Sequence, residues 1–298
     1  MSNPYHIDGP ALIQVSGGRT SGFMLRKILD AHGGTLPDDV RAVFQNTGKE
    51  HEATLAFLKE MSERWAVPIT WLEFTFIDGV KGFKVVDYCG ASRNGEPFEA
   101  AIKERKYLPN PMVRFCTVEL KIRTGMRYAK SLGWREINRV VGIRADEPHR
   151  VARMKGDNTY ENVVMPMAKA GHTEADVLAF WKSQPFDLML PGGDNTFGNC
   201  DLCFLKKRAK IDKILRTNPD SARWWAEQEE RAGKAFRTDR PTYRQMLTQI
   251  TVQGQLFDDA VEDDTLPCQC NQATCATFAC ESSPASMTRS SASSPSSR

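Results

Sequence analysis

An α/β fold, with a doubly wound and mainly parallel sheet, is predicted by three observations on this 298-residue chain. An apolar run, Ala11-Leu12-Ile13-Gln14-Val15, meets a glycine turn, Ser16-Gly17-Gly18-Arg19-Thr20-Ser21, and then a helical pattern from Gly22 to Leu29. Further strand-like runs alternate with helical segments, the pattern that builds a parallel sheet. The polar and glycine residues Ser16, Asn46 and Gly142 all fall at the carboxyl ends of such runs, where open α/β sheets bind ligands.

The elements follow in order. Val40 to Gln45 reads as the second strand and ends at Asn46-Thr47-Gly48. Ala53 to Trp65 reads as an amphipathic helix, with Leu55, Leu58, Met61 and Trp65 on one face. Ile69 to Phe76 is the third strand and Ile137 to Ile143 the fourth. Beyond about Met165 the pattern turns helical: His172 to Lys182, with Thr173 as its cap, then Leu205 to Arg216, then Asp220 to Gly233. Pro191 to Asn199 is polar and glycine-rich, a loop. Residues 1–165 are read as the α/β domain and 166–257 as a helical C-terminal extension carrying Cys200-Asp201-Leu202-Cys203. Residues 258–298 form a cysteine-containing segment and a Ser-rich tail whose composition cannot build a core.

Composition narrows the function. Forty Lys and Arg against 37 Asp and Glu leave a net charge of +3, which gives no sign of a strongly basic nucleic-acid binder. No signal-peptide pattern opens the chain and no apolar run is long enough to span a bilayer, so a cytoplasmic protein without a membrane partner is expected. Eight cysteines in a reducing compartment point to metal or redox chemistry rather than to a disulfide scaffold.

The turn after the first strand is an anion site in the making. Its glycines let the backbone approach a ligand, and the first helical amides lack intrahelical partners. Ser16, Thr20 and Ser21 add hydroxyls, and Arg19 adds a fixed positive charge. The spacing is not that of a Walker loop. It resembles the PP-loop, Ser-Gly-Gly-x-x-Ser, of the ATP pyrophosphatase and adenine nucleotide α-hydrolase superfamily.

Further segments extend the likeness: Asn46-Thr47-Gly48 with Thr54; Arg114-Phe115-Cys116 before Lys121; Gly142-Ile143-Arg144 leading to Asp146, Glu147 and Arg150; Pro166, Thr173 and Trp181; and Cys200-x-x-Cys203. In this order the set resembles the phosphoadenosine phosphosulfate (PAPS) reductase family, over roughly Leu12 to Leu215. The resemblance implies a Rossmann-like fold and an adenine nucleotide, ATP or an adenylyl sulfate, with magnesium as a candidate counter-ion. It implies nucleotide contacts from Ser16, Gly17, Gly18, Arg19, Thr20, Ser21, Asn46, Thr47, Gly48, Gly142 and Arg144. It departs from the family where Arg19-Thr20 replaces Lys-Asp and where Asn46 replaces an aspartate. No Glu-Cys-Gly-x-His segment occurs near the C-terminus, so the reductase name does not follow from the fold.

The resemblance also implies that Cys116, Cys200 and Cys203, with Arg19, carry the chemistry. Relatives that reduce adenylyl sulfate hold a 4Fe–4S cluster on cysteines. Here Cys116 and the Cys-x-x-Cys pair supply three thiolates, with Cys270 a candidate fourth ligand. A zinc half-site or a redox pair, with Cys116 a small core residue, is the alternative. Two readings of function stand. One is an enzyme of cysteine- or cluster-assisted sulfur chemistry, with a sulfur or electron donor protein as partner. The other is a nucleotide-binding accessory subunit of a nucleic-acid modification or defence assembly. The basic run Lys206-Lys207-Arg208 with Lys210 motivates the latter.

Overall fold

The computed structural model describes residues 3–154, 161–193 and 195–258. Cys270 and the Ser-rich tail lie outside the described residues. Strand β1 (Ala11–Gln14) leads to helix α1 (Arg19–Ala31), then β2 (Val40–Asn46), α2 (Glu52–Arg64), β3 (Ile69–Ile77) and β4 (Val80–Val86). Helix α3 (Glu96–Arg105), a π-helix (Thr117–Arg123), α4 (Thr124–Ser131) and β5 (Ile137–Val141) follow. Then come α5 (Pro148–Met154), β6 (Glu161–Val164), α6 (Pro166–Ala170) and α7 (Glu174–Ser183). The C-terminal helices are α8 (Arg208–Thr217), α9 (Ala222–Ala232) and α10 (Tyr243–Asp258).

The six strands form one sheet in the order β4-β3-β2-β1-β5-β6, parallel throughout except for the antiparallel edge strand β4. This is the fold class the sequence predicts. The chain winds from β1 outward through β2 and β3, then returns to the other side of β1 with β5 and β6. The crevice where the winding reverses lies between the ends of β1 and β5, and such a crevice is where open α/β sheets take their ligands.

Alternation along the strands gives the sheet two different faces. Ala11, Ile13, Ala42, Phe44 and Val140 join α1, α2 and α7 in the larger core, with Phe23, Leu55, Met61 and Trp181. Leu12, Val43, Leu72 and Ile137 face the other way, against Met126, Tyr128 and Ala129 of α4. On this second face the apolar pattern stops before the carboxyl ends do. Gln14 and Gln45 follow the same alternation as Leu12 and Val43, which places amide side chains at the top of a buried surface.

The C-terminal helices are fastened to the sheet through aromatic packing and one polar joint. Trp225 is fully buried against Phe98, Phe236 and Tyr243. Its indole N–H donates to Asp201 Oδ1 at 2.7 Å, and Asp201 pairs with Lys49 Nζ at 3.1 Å. An isolated antiparallel bridge joins Glu50 to Cys200. The loop after β2 and the Cys-x-x-Cys turn are thereby pinned together.

Candidate functional site

The loop after β1 is shaped by its own side chains. Ser21 Oγ lies 3.1 Å from Ser16 Oγ, accepts from Ser16 N–H at 3.1 Å and donates to Gly18 C=O at 3.0 Å. Gly18 caps α1 without a side-chain hydrogen bond, so the first-turn amides of α1 stay open to a ligand. Gly17 has a φ of 74°, and a Cβ there would lie 2.4 Å from Thr54 Cγ2. Only glycine lets the loop turn under α2 at this point. Gly142, at the end of β5, does a different job. A Cβ there would lie 3.4 Å from Ser21 Cα, in van der Waals contact, so β5 runs close beside the loop and leaves room for little more than a methyl group.

A cavity of about 470 Å³ opens at this switch point. Ser16 to Ser21, Gly142 and Arg144 line one part of it. Gln14, Gln45 and Arg139 line it from the strands, and Thr117 and Lys121 from the π-helix. Asn199, beside Cys200, also borders it. Two buried polar atoms of the lining residues have no hydrogen-bond partner among the described residues: Thr54 Oγ1 and Gln45 Nε2.

The cations around the loop are not equally available. Arg19 Nε donates to Asp187 Oδ1 at 2.7 Å and Arg19 Nη2 to Asp187 Oδ2 at 2.9 Å, with a third bond to Leu188 C=O. The guanidinium thus ties the loop to the segment after α7, and Trp181 Nε1–H grips the Arg19 carbonyl at 2.7 Å. Arg144 reaches Thr20 Oγ1 at 3.4 Å while its Nε bonds Asp146 at 2.9 Å, with Glu147 and Glu174 close by. Arg144 is therefore held over the loop by carboxylates on its outer side.

Asn46, Thr47 and Gly48 do not line the cavity; they form a polar knot beside it. Asn46 Nδ2–H donates to Glu73 Oε1 at 2.6 Å and to Ser92 C=O at 2.8 Å, and its Oδ1 accepts from Gly48 N–H at 3.0 Å. Thr47 gives its N–H and hydroxyl to the Glu50 carboxylate at 2.8–3.0 Å. The same hydroxyl lies 3.5 Å from Cys200 Sγ.

Cys116, Cys200 and Cys203 are free thiols from two distant stretches of chain, and Cys203 lies close enough to act electrostatically on both others. Burial raises the pKa of Cys116 to about 11, with Cys203 adding to the rise. Burial also pushes Cys200 and Cys203 up, and the Glu50 carboxylate adds to the rise at Cys200. Lys121 faces the group. Burial alone would lower its pKa, but Cys200, Glu50, Cys116 and Cys203 together raise it, so the ammonium stays charged. Among the described residues no three His, Cys, Asp or Glu side chains are arranged to hold a metal ion.

Sequence reasoning passed over Gln14, Gln45, Arg139, Glu50 and Asp187. The two glutamines did leave a signal: each is an amide at the carboxyl end of an otherwise apolar strand. Asp187 left none, because its pairing with Arg19 spans 168 positions.

Fold and loop together define an α/β protein with a Ser-Gly-Gly-x-x-Ser loop at the switch point of its sheet. The chain belongs to the family of the nin region protein ORF290 of Escherichia phage lambda, itself uncharacterized, with which it is 31% identical over 207 residues, 67% of each chain. No family model matches. Among solved structures, it is similar to an NH3-dependent NAD synthetase from Campylobacter jejuni, with 13% identity, 88% of this chain and 91% of that chain covered, and a TM-score of 0.37. A PAPS reductase from Candida auris gives 17% identity, 58% and 72% coverage and a TM-score of 0.34. The U34-tRNA thiolase NcsA from Methanococcus maripaludis gives 13%, 83% and 74%, and a TM-score of 0.40. No helix among the described residues is long and apolar enough to cross a membrane.

Proposed function

We propose that the chain is an adenine-nucleotide enzyme that cleaves its ligand at the α-phosphate and couples the cleavage to sulfur chemistry at Cys116, Cys200 and Cys203. One observation supports it above others: a single cavity joins the Ser16 to Ser21 loop to Lys121 and Asn199, at the edge of the thiol group. The open amides of α1 and the hydroxyls of Ser16 and Ser21 would hold phosphate or sulfate oxygens. Thr54 Oγ1, buried and without a partner among the described residues, gives one more donor beneath the loop. Arg144 would meet charge that develops on the leaving group. Arg19 is assigned a positioning role, because both arms of its fork are on Asp187. In the adenylylation reading, an acceptor atom bonds the α-phosphorus, the α–β bridge breaks, and pyrophosphate leaves with the bonding pair. In the sulfate reading, a thiolate attacks the sulfur of an adenylyl sulfate, the sulfur–oxygen bond to the α-phosphate breaks and AMP leaves with the bonding pair; releasing sulfite from the resulting S-sulfocysteine then takes two electrons from a donor protein as partner.

The test is incubation with ATP and magnesium and separation of the products. AMP and pyrophosphate, absent with Ser16→Ala, support the enzyme. A second reading has its own observation. With Arg19 committed to Asp187, the loop has no cation of its own left for the phosphates, which favours a subunit that binds a nucleotide without turning it over. Tight ATP binding with no product, together with salt-sensitive retention on nucleic acid through exposed Lys207 and Lys210, would select that reading. Iron and acid-labile sulfide in oxygen-free protein, measured beside Cys200→Ser, decide separately whether a cluster is loaded.

A further inference from the structure

The cavity has a second end, on the face of the sheet opposite α1. Its wall there is amide, not hydroxyl. Gln14 and Gln45 rise from neighbouring strands, and both side-chain nitrogens converge above Gly125 of α4. A Cβ on Gly125 would lie 3.2 Å from Gln45 Nε2 and 3.8 Å from Gln14 Nε2. Gln45 is only 5% exposed, and its Nε2 has no partner among the described residues. A buried N–H donor without an acceptor costs free energy, so an acceptor is expected to be supplied. Val141, the register partner of Gln14 on β5, also lines the cavity. A flat, partly apolar group with acceptor and donor edges suits this wall.

We propose that Gln45, seconded by Gln14, reads the adenine base of the nucleotide and sets its specificity. This inference rests on the proposed nucleotide function and names the residue that would choose the base. A primary amide presents one donor and one acceptor side by side. Adenine answers with a ring-nitrogen acceptor beside its N6 amino donor, the pairing by which glutamine recognises adenine elsewhere. Hypoxanthine and guanine put a carbonyl where adenine has the amine, and Gln45 Oε1 would then face an acceptor. Gly125 is the positioning residue: the missing Cβ leaves the room that keeps the Gln45 amide aimed at the base.

The experiment is equilibrium binding of ATP and of inosine triphosphate to the full chain, in the wild type, Gln45→Leu and the near-isosteric Gln45→Glu. Wild-type protein should prefer ATP by roughly tenfold to a hundredfold. Gln45→Leu should weaken ATP to the inosine level while inosine binding changes little. Gln45→Glu should lose the same preference, since a carboxylate cannot donate to the ring nitrogen. Because both ligands carry the same triphosphate, a misfolded variant would lose both together, whereas the ratio moves only if the base is read here. An unchanged ATP-to-inosine ratio in both variants overturns the inference, as does a wild type that binds the two equally. A wild type that binds neither overturns the proposed function as well.

Discussion

Asn46 shows how a single residue departs from a family pattern for a local reason. Its amide donates to Glu73 Oε1 at 2.6 Å, inside a pocket where both side chains are fully buried. Burial would raise the Glu73 pKa, but Lys84, Ser92 and Asn46 more than offset it and hold the carboxyl ionised. An aspartate at 46 would face that carboxylate with no proton to give. Asn46→Asp should therefore destabilise the fold by about 3 kcal/mol at neutral pH, and Glu73→Gln should restore much of the loss. Urea melts of the two single variants and the double variant check it; an Asn46→Asp protein as stable as the wild type would contradict the reading. The sign with pH is fixed by the lowered Glu73 pKa. Its stabilising contribution is present above the ordinary glutamate value and is lost as the pH falls through the folded value. Lys206 runs the other way. Burial lowers its pKa to about 8, only partly countered by Cys203, Asp201 and Cys200, while its ammonium donates to Thr196 C=O at 2.6 Å. Between pH 8 and the ordinary lysine range the unfolded chain holds the extra proton, so stability should rise with pH there relative to Lys206→Met. Parallel denaturation curves with no pH-dependent difference would dispose of this.

The π-helix is the element that carries Thr117 and Lys121 to the cavity, and a buried carboxylate anchors it. Glu119 has no exposed surface, and Arg105, Arg123, Arg127 and Lys81 all converge on it. Thr124 Oγ–H donates to the Glu119 carbonyl at 2.8 Å, closing the widened turn. π-Turns of this kind recur at functional sites because they aim side chains a regular helix would misplace. Glu119→Gln should cost about 2–3 kcal/mol, below the full penalty of a broken buried pair because the arginines still reach water. It should also slow catalysis more than ground-state ATP binding, since Lys121 moves while the phosphate loop does not. Equal loss of both, or of neither, would count against an anchoring role. None of this was readable from the sequence. The stretch has no 3.6-residue period, and the glutamate that holds it is paired from α3, β4 and α4. The exposed edge strand β4 and the short β6 also went unread, whereas β1, β2, β3, α1, α2 and α7 stood out because each buries a regular apolar stripe.

At the scale of the molecule, the sequence disclosed the half of the site that is local. The loop, its strand and its helix are contiguous, so their spacing carries their meaning. The thiol group is different: Cys200 reaches Thr47 only because Lys49–Asp201 and the Glu50–Cys200 bridge dock the C-terminal helices onto the loop after β2. No spacing in a single chain announces such a docking. The switch point between β1 and β5 joins both halves, and Gly142 is where β5 runs against the phosphate loop. A Cβ there would already touch Ser21, so the γ-carbons of a branched side chain would press on the loop, yet the residue is no part of the hydrophobic cores. Gly142→Val is thus expected to remove ligand binding while costing the unliganded fold little. Ligand at a hundred times its dissociation constant stabilises a folded protein by about 2.7 kcal/mol. For a chain of this size that amounts to a rise of roughly 4–5 °C in melting temperature. Saturating ATP should produce that rise over the ligand-free protein in the wild type and none in Gly142→Val, whose ligand-free melting temperature should stay within about 2 °C of the wild type. A variant that melts normally and still gains the full rise would show that the nucleotide does not sit at the β1–β5 crevice, and the phosphate loop would then have to be read as structural.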